Sequence, residues 1–128
     1  MPQIKTYSFA NIRILIVDDN VDIRTSLILL LSSWKVNVKA VGNGKAALAL
    51  LDKFNPHFIF LDIGMPEMDG YKVAEIIRQD SRYDSIKLIA LTGWNQSKDR
   101  IQSKVSGFDE HLGKPVDFNI LYNLLSQK

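Results

Sequence analysis

The chain has 128 residues, 16 basic against 14 acidic side chains for a net charge of +2, and no cysteine. That is room for one globular domain with its own core, and it excludes disulfides, thiolate metal sites and thiol chemistry. The basic residues are scattered rather than clustered, which argues against nucleic acid as a direct partner. No apolar run approaches the roughly 20 residues of a membrane span, and the N-terminus shows no signal-peptide pattern, so a soluble, cytoplasmic protein without membrane insertion is expected.

Residues 1–11 are polar and aperiodic and read as a leader or extension, leaving residues 12–128 as the domain. Residues 12–17 (Ile-Arg-Ile-Leu-Ile-Val) form a β-branched, apolar strand that stops at Asp18 and Asp19. Asn20 or Asp22 then opens a helix whose buried stripe is Ile23, Leu27, Leu30, Leu31 and Trp34. Val36, Val38 and Val41 mark a more polar strand, expected at an edge, and Gly42-Asn43-Gly44 a turn. Ala47, Leu50, Leu51 and Phe54 repeat as a second helical face, broken by Asn55-Pro56.

Residues 58–61 are apolar without interruption, as in a strand buried on both faces, and run straight into Asp62. The Met65-Pro66 and Asp69-Gly70 pairs force an irregular loop, after which Val73, Ala74 and Ile77 point one helix inward. Residues 86–91 are a fourth strand ending at Thr92-Gly93. Residues 95–106 have helical propensity but only Ile101 and Val105 as anchors, so this helix is expected to be the least firmly held. Gly107 ends it. Residues 109–112 are a brief fifth strand before Gly113-Lys114-Pro115, and Phe118, Leu121, Tyr122 and Leu125 define a closing amphipathic helix.

A strand–helix unit repeated five times predicts an α/β fold: a five-stranded parallel sheet with helices on both faces and right-handed crossovers. In such a sheet Asp18 and Asp19, Asp62, Thr92 and Lys114 all lie along the edge where open α/β sheets bind ligands. Singly, each has an ordinary reading: a turn or cap for the acids, a backbone-bonded hydroxyl for Thr92, a solvated lysine for Lys114, a satisfied strand ring for His111. Their convergence is the signal. Three neighbouring carboxylates repel one another unless a cation is bound, and a few oxygen ligands suit Mg²⁺. Phosphoryl transfer asks mainly for positioning and charge stabilisation, and a carboxylate can supply the covalent step. The constellation reads as Asp62 attacking a phosphoryl group whose oxygens are held by Mg²⁺, Thr92 and Lys114.

These pieces resemble the receiver domain of two-component response regulators. The matching residues are Val17-Asp18-Asp19-Asn20, Leu61-Asp62 through Met65-Pro66 to Met68-Asp69-Gly70, Ala90-Leu91-Thr92 and Lys114-Pro115. The resemblance implies a flavodoxin-like (βα)5 fold with strand order 2-1-3-4-5. It implies that Asp18 and Asp19 hold Mg²⁺, Asp19 directly, and that the backbone carbonyl of Gly64 joins Asp62 as a further ligand. It implies that Asp62 accepts phosphate from a phosphohistidine on a histidine kinase or histidine phosphotransfer protein, and that Thr92 and Lys114 contact it. The Lys114–Pro115 bond is often cis in such domains, and a small Gly93 leaves access to the aspartate.

Two positions depart from the commonest pattern. His111 stands three before the lysine, where the switching Tyr or Phe is usual and moves together with the Thr92 position. Trp94 stands two beyond Thr92, where relatives tune phosphate lifetime. The wording around Leu91-Thr92-Gly93-Trp94 and at residues 107–112 is closest to receivers of hybrid sensor histidine kinases. The rivals are a silent binding module of the same fold, an aspartyl-phosphate phosphohydrolase and a nucleotide- or flavin-binding domain. The phosphohydrolase wants an acid where Gly64 stands and a cap for which there is no room. The nucleotide binder wants a phosphate-cradling loop where Asp18-Asp19-Asn20 has the wrong charge.

Overall fold

The computed structural model describes residues 9–65, 69–93 and 106–126. Strands β1 (Arg13–Val17), β2 (Asn37–Val41), β3 (Phe58–Asp62), β4 (Lys87–Thr92) and β5 (Glu110–Gly113) form one parallel sheet in the order β2-β1-β3-β4-β5. Helices α1 (Val21–Ser33), α2 (Gly44–Phe54), α3 (Gly70–Arg78) and α4 (Phe118–Ser126) cover it. This is the flavodoxin-like architecture, with the second strand at an edge as its polarity predicts. Trp94 and the helix expected over 95–106 lie outside the described residues, apart from Ser106.

Alternation along each inner strand divides the core into two layers. Leu15 and Val17, Ile59 and Leu61, and Leu88 and Ala90 pack with α2 (Ala47, Leu51, Phe54) and α3 (Val73, Ala74, Ile77). Ile14 and Ile16, Phe58 and Phe60, and Ile89 and Leu91 pack with α1 (Leu27, Leu31) and α4 (Leu121, Leu125). Both faces of β3 are therefore buried, which is why its sequence shows no polar alternation.

Side-chain caps start the helices. Asn20 accepts from the Ile23 N–H, Asn43 from Ala46 and Asp69 from Lys72; Asp117 takes the N–H groups of Asn119 and Ile120. Asn20, not Asp22, is thus the cap of α1, and Asp22 is a first-turn acid. Asn55 ends α2 in the left-handed region at φ 52°, a conformation asparagine tolerates better than most residues.

One expected core residue is not in the core. Phe118 is 62% exposed, because it opens α4 immediately past its Asp117 cap, before the helix has turned onto the sheet. Val116 packs against the core beneath it instead. At the other end of the chain, Phe9 of the expected leader is half-buried against the same core layer.

Candidate functional site

The site is built by strands that end together. β1 ends at Val17, delivering Asp18 and Asp19; β3 ends at Asp62, paired with Leu91 one residue before Thr92. Gly113 pairs with Thr92, and the Lys114 N–H continues the ladder onto the Thr92 carbonyl at 2.8 Å. That last bond sets Lys114 over the sheet edge, and the Lys114–Pro115 peptide that follows is cis.

One ligand oxygen from each of Asp18, Asp19 and Asp62 lies within 4.8 Å of the others. Asp18 and Asp62 are buried and Asp19 is exposed. The Lys114 ammonium sits 3.0 Å from Asp18 Oδ2 and 3.2 Å from Asp62 Oδ1. The first is a charge contact without the alignment of a good hydrogen bond. Asp18 Oδ1 accepts from the Asn20 N–H and Asp62 Oδ1 from the Gly64 N–H, both at 2.9 Å. Thr92 is buried, with its hydroxyl 3.5 Å from the Leu112 carbonyl. At that length the hydroxyl is barely committed and can serve another acceptor.

Burial pushes the Asp18 carboxyl above its ordinary range, the Asp62 charge adds to the rise, and the Asn20 N–H and Lys114 oppose it. Burial alone would lower the Lys114 ammonium. Its contact with Asp18 and the charge of Asp62 outweigh that and raise it. One ammonium against three carboxylates leaves net negative charge in a partly buried place. The donors are all oxygens, with an exposed acid on the open side. That set fits a hard divalent cation such as Mg²⁺, which binds through one or two carboxylates and keeps several waters.

The other expected site residues fall as follows. Gly64 is in the turn after β3 and Gly93 directly follows β4. His111 pairs with Ala90, placing it on the same sheet face as Thr92 and diagonal to it. Trp94 lies outside the described residues.

Two further residues position the site: Arg24, which no local sequence signature marks, and Gly70, which the Asp69-Gly70 pair already flags as a turn. The Arg24 guanidinium donates to the Asp18 carbonyl at 2.7 Å, bracing the end of β1 from within α1. At Gly70 a Cβ would stand 2.5 Å from the Asp62 carbonyl oxygen and 2.8 Å from Ile63 Cα. Only glycine lets α3 begin against the backbone of the residue that carries the central carboxylate.

Residues 14–126 match the family described as the response regulator receiver domain. The chain is 34% identical over 122 residues to stress response regulator protein 1 of Candida albicans, covering 94% of this chain but 42% of that protein's length. Among solved structures it superposes on the receiver domain of Ssk1 from Saccharomyces cerevisiae, crystallised with the histidine phosphotransfer protein Ypd1. There the TM-score is 0.82 at 28% identity, over 91% of this chain and 87% of the other. It matches equally the receiver domain of the sensor histidine kinase PA1611 of Pseudomonas aeruginosa, which has magnesium in its active-site cleft. That TM-score is 0.81 at 28% identity, over 90% and 94% of the two chains. No helix among the described residues is long and apolar enough to cross a membrane. With strand order, site and sequence in agreement, this chain belongs to the response regulator receiver domain family.

Proposed function

We propose that Asp62 is the phosphoacceptor of a phosphorelay, charged by a phosphohistidine on a histidine kinase or histidine phosphotransfer protein. The observation that carries this reading is the Lys114 ammonium bridging Asp18 and Asp62, with Asp19 completing the acidic set. Asp62 Oδ1 is engaged by Lys114 and the Gly64 N–H, which leaves the second oxygen for the reaction. That oxygen bonds to phosphorus as the P–N bond to the donor imidazole breaks. The imidazole leaves with the electron pair and takes up a proton. Asp18, Asp19, Asp62 and the Gly64 carbonyl would hold Mg²⁺, which when bound would supply positive charge to offset the incoming phosphoryl oxygens. Lys114 and the Thr92 hydroxyl take the remaining oxygens.

Thr92 and His111 form the switch pair, and the segment beyond Gly93 with β5 and α4 is the responsive, partner-binding face. Gly93 and Trp94 set how freely water reaches the acyl phosphate, and hence how fast the protein dephosphorylates itself. A groove of about 510 Å³ beside Lys114, lined by Ile23, Leu27, Pro115, Val116 and Phe118, offers the donor an apolar seat. The receiver unit is read as residues 12–128, and a cytoplasmic location is part of the same reading.

The test is intact mass after incubation with Mg²⁺ and acetyl phosphate. One phosphoryl adduct that requires Mg²⁺ and is absent in Asp62→Asn is expected. An adduct that persists in Asp62→Asn contradicts the assignment.

A further inference from the structure

At the end of α1 remote from the acidic site, three rings meet. Phe9 lies 6.0 Å from Trp34 and 5.5 Å from Tyr122, centroid to centroid, and Trp34 lies 5.7 Å from Tyr122. The Phe9–Trp34 and Trp34–Tyr122 pairs are edge-to-face, at 73° and 82°, the arrangement ring quadrupoles favour. The backbone is held as well. The Phe9 N–H donates to the Trp34 carbonyl at 2.8 Å, and the Phe9 carbonyl accepts from Ile12 at 2.9 Å, closing a turn into β1. Trp34 caps α1 and Tyr122 belongs to α4. The family match begins at residue 14, so Phe9 lies outside the matched span.

We propose that Trp34 and Tyr122 form a docking shelf for the chain's own N-terminal segment, with Phe9 as its anchor. Neither the family fold nor the phosphoacceptor reading calls for this contact. The clasp joins the far end of α1, which leaves the site after Asp19, to α4, which leaves it after Lys114. Residues that precede the receiver sheet thereby become part of the surface of its last helix, and the folded unit extends back to Phe9.

The test uses a Trp94→Phe background, in which Trp34 is the only tryptophan, and compares Phe9→Ala and Phe9→Leu with it. For Phe9→Ala the Trp34 emission shifts to the red. Amides of Leu121, Leu124 and Leu125, and of Leu30 and Leu31 in α1, exchange on the order of tenfold faster. Amides of Val73 to Ile77 in α3 hold their rates. Phe9→Leu, which keeps apolar bulk without the ring, gives a smaller change in the same places and carries the test if the alanine variant does not fold. Unchanged emission and exchange overturn the proposal. So does acceleration spread evenly over α2 and α3, which makes Phe9 a contributor to global stability alone. Phosphorylation of Asp62 is not the readout, so failure here is distinct from failure of the phosphoacceptor reading.

Discussion

Lys114 contacts two buried carboxylates at once, and its removal leaves both without their cation. Lys114→Met is expected to destabilise the metal-free protein by about 1–3 kcal/mol, below the cost of breaking a fully buried pair because its side chain is partly exposed. Urea unfolding without and with Mg²⁺ checks this, since the ion should restore part of the loss. The sign of the pH dependence follows from the raised Lys114 value. The stability it contributes is fully present below its ordinary 10.5 and is lost as pH climbs through the higher folded value. The difference in unfolding free energy between wild type and Lys114→Met should therefore shrink above that pH, and a constant difference would contradict the pairing. Asp19 gives the converse case. It is exposed, so Asp19→Asn should leave the metal-free protein within about 0.5 kcal/mol of wild type. It should also abolish most of the Mg²⁺-induced rise in Tm. For wild type that rise corresponds to about 2.7 kcal/mol at a hundredfold excess over Kd.

At the scale of elements, two glycines and one arginine hold the strands in register with the site. Gly70→Ala drives a methyl into the Asp62 and Ile63 backbone. It should cost roughly 1–3 kcal/mol and slow phosphorylation of Asp62 as well, because relief must move one of the two. A stable Gly70→Ala protein phosphorylated at the wild-type rate would speak against that contact. Arg78 binds the carbonyls of Tyr83, Ile86 and Gly107 and the Asp109 carboxylate, tying the end of α3 to the starts of β4 and β5. Gly107, at φ +106°, passes so close that a Cβ would meet Arg78 Cγ at 2.4 Å. Arg78→Met should cost on the order of 2–4 kcal/mol in thermal or urea unfolding, the penalty of several acceptors left unmet.

None of the Arg78 network is legible in the sequence, where an arginine at a helix end carries no mark of four acceptors, two of them 29 and 31 residues away. The strands and site acids are legible for the opposite reason. Buried parallel strands must be apolar throughout, so a carboxylate ending such a run announces itself at Asp18 and Asp62. Phe118 misleads because helical spacing cannot say where a helix first meets the sheet. Phe9 stays hidden because an aromatic in a polar, aperiodic leader has no period to join.

Across the whole molecule, burial in two layers makes a rigid β1–β3–β4 centre whose C-terminal edge presents the acids, with polar β2 and short β5 outside it. The site thus sits at the ends of the most deeply buried of the described strands, and the proposed response falls on the side of β5 and α4. On the proposed reading, a new phosphoryl group on the edge would act there as a local charge biasing a two-state element. That view stands or falls on one covalent bond. The most direct measurement is to phosphorylate the protein with acetyl phosphate and Mg²⁺, reduce the acyl phosphate with borohydride, and locate the modified residue by peptide mass spectrometry. Conversion of Asp62 to homoserine, and of no other acid, is the predicted result. Reduction at Asp18 or Asp19, or phosphate recovered on a hydroxyl or ring nitrogen, would contradict the account.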